Sequence, residues 1–103
     1  MAQFEIAHLR EQGQDMIIIP LDDSYGYKSN VAQNRILNEL QMYARAAGLA
    51  GTVVTVWDTG NGRMGFLAPS QWQPFFSSMS LYDVAANLNK TLICGETVNH
   101  SPE

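Results

Sequence analysis

The chain has one cysteine, Cys94, in 103 residues, so an internal disulfide framework is excluded. It has no His-x-x-His or Cys-x-x-Cys spacing, which argues against a structural zinc site, and no cofactor motif stands out. The longest apolar run, Met16 to Leu21, is far too short to span a bilayer. The opening Met1-Ala2-Gln3-Phe4-Glu5 lacks the basic and apolar regions of a secretory leader. A cytoplasmic protein with no membrane contact is the expectation. Two glycosylation-like triplets, beginning at Asn89 and Asn99, are then chance matches. Positive charge is also scarce. Six basic residues face ten acidic ones, for a net charge of −4, and the basic residues are scattered. Nucleic-acid binders usually gather basic residues into a footprint, because phosphate neutralisation supplies much of their affinity. Nucleic acid is therefore a disfavoured partner.

What is present is a globular composition, 46% hydrophobic, sufficient for one modest core. A single domain is expected over residues 1–95, followed by a polar, flexible tail over 96–103. The two halves share a pattern at an offset of 48 residues, with Met16 falling on Met64, Ile36 on Val84 and Leu40 on Leu88. Apolar positions and turn signals agree, whereas identities are few, so the pattern concerns architecture. Two ordinary strand-strand-helix units of similar length would look the same.

Gln3 to Arg10 alternates like a strand, and Glu11-Gln12-Gly13-Gln14 reads as a turn. Met16 to Ile19 is apolar on both faces, which suits a central strand, and Pro20 should end it. Asn30 and Gln33 form a capping-box-like pair before a helix. That helix buries Ile36, Leu37, Leu40, Tyr43, Ala44 and Ala47, with Gln41 on its wet side. Thr52 to Trp57 and Arg63 to Ala68 read as strands around an Asn61-Gly62 hairpin turn. Gln71 to Phe76 suits a short helical turn. Ser80 and Asp83 form a second capping box, before a helix running to Leu92.

This order predicts an α+β domain: a four-stranded, mostly antiparallel sheet with two helices on one face. Apolar side chains populate both faces of all four strands. One face would be left as an apolar patch, so a homodimer is expected.

Asp58-Thr59-Gly60 resembles the active-site triplet of retroviral-type aspartic proteases. The next residue there is usually small, whereas here it is Asn61, and turn chemistry explains the whole segment. Gly60-Asn61-Gly62-Arg63 lacks the lysine of a phosphate loop and leads into a strand. Asp22 and Asp23 are adjacent and diverge on extended backbone. His8 lies within a strand, and Cys94 reads as a small buried hydrophobe. An acid-base enzyme would draw on Asp22, Asp23, Asp58 or His8, but sequence brings no two of these into a constellation. The aromatics form the more suggestive set: Tyr25, Tyr27, Trp57, Trp72, Phe75 and Phe76 fall in or beside loops. Such residues line a pocket or interface, or fold over the sheet ends as core.

The segment from Gly62 to Phe76, GRMGFLAPSQWQPFF, resembles that of small uncharacterised bacterial proteins, some carried on mobile elements such as integron cassettes. The resemblance implies a bacterial, cytoplasmic accessory protein and assigns no catalytic residue. The expected function is a non-enzymatic interaction module, self-associating, that binds a protein partner or a small apolar ligand through its aromatic patch. A small-molecule enzyme is the alternative.

Overall fold

The computed structural model describes residues 2–60 and 62–94. β1 (Ala2–Glu11) and β2 (Gln14–Pro20) form an antiparallel hairpin in which Glu11 faces Gln14. The loop residues Gln12 and Gly13 have φ of 51° and 78°. Positive φ at both positions matches the twist of the strands, and Gly13 adopts it without steric cost. Pro20 is the last residue of β2, as expected from its missing N–H.

A 3-10 turn, Asp23–Tyr27, leads into α1 (Asn30–Ala46). The cap is Ser29 and not Asn30: the Ser29 hydroxyl accepts a hydrogen bond from the Ala32 N–H. Gln33 does not complete a capping box, because its amide is buried and donates to the Tyr25 carbonyl. Ile36, Leu37, Leu40, Tyr43 and Ala44 face the sheet as their spacing predicts. Ala47, expected to be buried, is the exposed C-cap.

β3 (Thr52–Asp58) runs parallel to β2, and β4 (Met64–Leu67) returns antiparallel to β3. The Thr59 N–H donates to the Arg63 carbonyl at 3.0 Å and closes this hairpin. Of the predicted Asn61-Gly62 turn, Gly62 has φ 74°, and Asn61 lies outside the described residues. A 3-10 turn (Ser70–Trp72), α2 (Gln73–Ser77) and α3 (Leu81–Ala86) follow. The Ser80–Asp83 capping box is present.

The last helix stops at Ala86, short of the Leu92 that its apolar spacing suggested, and Lys90–Cys94 forms β5 against β1. Asn87 and Asn89 favour backbone-bonded turns over helix interior. Asn89 donates its N–H to the Ile6 carbonyl, and its side-chain amide brackets His8 through the N–H and the carbonyl. Leu92 and Cys94 then alternate into the core. The polar tail expected from residue 96 onward lies outside the described residues.

The result is an α+β fold with a mixed sheet of five strands, ordered β4-β3-β2-β1-β5. Sequence reasoning missed β5 and placed the helices on one face. They lie on opposite faces. α1 covers Ile6, Ile17, Ile19, Val53 and Leu92. The segment containing α2 and α3 covers Ala7, Met16, Ile18, Val54 and Val56 with Trp72, Phe76 and Val84. A parallel pair that is apolar on both sides needs cover on both sides. Ile36 and Leu40 therefore belong to one core, and Val84 and Leu88 to the other. The apolar surplus behind the expected homodimer is met within one chain. Among the described residues, no helix is long and apolar enough to cross a membrane.

Candidate functional site

The sheet divides the six singled-out aromatics into two groups. Tyr25 is buried beneath the 3-10 turn that follows β2. Its hydroxyl donates to the Gln33 carbonyl at 2.8 Å and accepts from Thr55 Oγ1 at 3.2 Å. Burial pushes the Tyr25 hydroxyl pKa up, with the Thr55 bond opposing. Its ring meets Trp57 edge to face, with centroids 5.0 Å apart. Trp57 also packs against Gly26 and Gly65. A methyl group at either glycine would come within 2.5 Å of the indole. Tyr27, by contrast, is 88% exposed.

Trp72 and Phe76 belong to the second core, with Phe75 set edge-on to Phe76 at 5.1 Å. These two are structural anchors, and Phe75 is half-buried beside them. The predicted aromatic set is thus not one patch.

The candidate acid-base residues do not converge as a group. The Asp22 carboxylate caps the 3-10 turn, accepting from the Ser24 hydroxyl at 2.6 Å and from the Ser24 N–H. Those bonds hold its pKa below the ordinary value. Asp58 accepts from the Gly60 N–H at 2.8 Å, which is turn chemistry. Asp23 and Asp58 do line one small cleft, about 90 Å³, with Tyr27 and Trp57. His8 bonds the Ala50 carbonyl near the start of β3, away from the strand end that carries Asp58. Among the described residues, no three His, Cys, Asp or Glu side chains are grouped to hold a metal. Cys94 is buried, and burial pushes its thiol pKa up, which opposes a nucleophilic role.

The roomier spaces lie elsewhere. A cavity of about 320 Å³ separates the first hairpin from Gln71, Trp72 and Phe75. A groove of about 410 Å³ runs between β4 and the α2–α3 connection. Its apolar wall is Met64, Phe66, Phe76 and Met79, and Arg63, Ser77 and Ser80 supply the polar rim. Phe66 and Phe76 sit 5.7 Å apart as its floor. On the opposite face of the sheet, a cavity of about 240 Å³ lies by the end of β4, lined by Leu37, Val53, Leu67 and Pro69 among others. Both spaces flank an edge strand.

Of the groove residues, sequence reasoning had singled out Phe76 alone. The available signal was the Met64-Gly65-Phe66-Leu67 alternation on a four-residue strand. All four of its residues are half-buried. Gln41 was also missed. Its amide donates to the Gly51 carbonyl at 3.1 Å and accepts from the Val53 N–H at 2.8 Å, filling the place beside β3 that β4 is too short to reach. Comparison with protein-family models, curated proteins and solved structures found no match.

Proposed function

We propose that this protein is a non-enzymatic binding module whose recognition site is the groove between β4 and the α2–α3 connection. One observation carries this: a space of about 410 Å³ walled by Met64, Phe66 and Met79 over the buried Phe76. Ligand sites are concave and pair apolar walls with polar groups that fix orientation, and here polar atoms expose at least as much surface to the space as apolar ones. Methionine suits such walls because its side chain is unbranched and adapts to the shape presented. A small apolar group or an apolar side chain of a partner is the matching occupant. The acid-base alternative has less support, because Asp22 and Asp58 are bound within their own turns and His8 stands apart. Self-association is not part of this proposal, since the chain covers both of its own sheet faces.

The test is methyl NMR on protein carrying labelled methionines, titrated with 1-hexanol. Met64 and Met79 line the groove, whereas Met42 is exposed on α1. The expected result is saturable shifts at Met64 and Met79 with Met42 unmoved. Shifts that never saturate, or that appear equally at Met42, contradict the proposal.

A further inference from the structure

We infer that the partner is an extended peptide that adds to the outer edge of β4, placing one apolar side chain in the groove and a second in the cavity on the opposite face. This rests on the groove being the recognition site and names what occupies it.

Backbone directions carry the first step. In an antiparallel ladder, alternate residues turn their N–H and C=O toward the partner strand. The Thr59 N–H reaches the Arg63 carbonyl, so Arg63 points toward β3. Gly65 and Leu67 share its parity, and Met64 and Phe66 point the other way. The neighbouring strand agrees: the Val56 carbonyl accepts from the Leu21 N–H on the β2 side, so the Val56–Phe66 pair exchanges no bonds across the ladder. The N–H and C=O of Met64 and Phe66 thus face outward, and no described residue takes them.

Two open stretches within this sheet are filled by side-chain amides, and β5 forms the other edge. Gln41 bonds the part of β3 that β4 does not reach, and Asn89 bonds β1 beyond β5. A side-chain amide there occupies backbone groups that would otherwise be open to another strand. β4 has no such cover among the described residues, and it has a cavity on either face. That combination is what strand addition needs: main-chain bonds for affinity and pockets for alternate side chains.

The cavities also state the peptide's chemistry. Successive side chains of a strand point to opposite faces, so the two apolar residues must stand an odd number of positions apart. Arg63 lines the groove and is in no ion pair among the described residues. A carboxylate two positions before the first apolar residue shares its face and complements Arg63.

The probe is a blocked hexapeptide with aspartate first and leucine third and sixth, its affinity read by isothermal titration calorimetry. Three changes are compared. N-methylating the peptide at the amides facing β4 should weaken binding about tenfold or more, since at least two hydrogen bonds are lost. Moving the second leucine by one position puts both on one face and should weaken it comparably. Arg63→Gln should weaken binding severalfold and remove its dependence on the aspartate. If hexanol moves the Met64 and Met79 methyls but the peptide does not bind, or binds equally when N-methylated, strand addition is overturned and the groove stands. If neither probe binds, both fail. A doubled mass at micromolar concentration without peptide, with β4 amides protected in that dimer, gives the edge to a second copy and also overturns the inference.

Discussion

Gln12 holds φ at 51°, the only non-glycine residue among those described with a positive value. A β-carbon in this region meets the following carbonyl, which costs about 1–2 kcal/mol. Asparagine tolerates the conformation far better and is the common first residue of this turn. Gln12→Asn is therefore expected to stabilise the protein by about 0.5–1 kcal/mol, seen as a melting temperature higher by a few degrees. A melting temperature that stays put or falls would refute the turn strain. The turn itself was legible in the sequence, because Gly13 flanked by polar residues between two apolar runs has one good explanation. The roles of Gln33, Gln41 and Asn89 were not legible. Gln33 reads as a capping-box partner, Gln41 as wet-face and Asn89 as part of the last helix, whereas each makes its bonds to backbone brought near by the fold: to Tyr25, to Gly51 and Val53, and to His8. Their partners are set by tertiary structure, which a local pattern does not report.

At the scale of elements, strands and helices with strong periodicity were recovered, and the short ones at the end of the chain were not. β1 through β4 and α1 follow from alternation and helical spacing. The helical spacing of Val84, Leu88 and Leu92 predicts helix where β5 lies, while Leu92 and Cys94 also fit a strand. Pairing with β1 puts Leu92 and Cys94 into the core and leaves the segment a strand. Pairing direction was likewise hidden: a hairpin announces itself locally, but the parallel β2–β3 contact depends on where α1 crosses. Gln41 supports this junction. Removing its amide leaves the Val53 N–H and Gly51 carbonyl without their partner at a half-buried site. Gln41→Ala should cost about 1–3 kcal/mol by chemical denaturation, far more than a change on the wet face of a helix. Gln41→Glu, which keeps the acceptor for Val53 alone, should fall between. A loss below about 0.5 kcal/mol in Gln41→Ala would show that the amide is not bridging strand and helix.

For the whole molecule, α+β was legible and the layering was not. Four strands apolar on both faces pointed to a partner subunit, because two helices on one face leave the other bare. The chain meets the same need by sending α1 to one face and α2 with α3 to the other. The candidate site follows from that division. With both faces covered, recognition moves to the sheet edge, where β4 stands between two cavities. The predicted aromatics split accordingly, Trp72 and Phe76 into the core and Tyr25 with Trp57 under the opposite loop. The most direct test of an open, receptive β4 edge is amide hydrogen exchange, residue by residue, with and without the leucine hexapeptide. In the free protein, Gly65 and Leu67 should exchange slowly and Met64 and Phe66 fast, because only the first pair bonds β3. On adding peptide, Met64 and Phe66 should slow by about tenfold or more, while Gly65 and Leu67 change little. Slow exchange at Phe66 in the free monomer, or no slowing when peptide saturates the groove, would contradict the account.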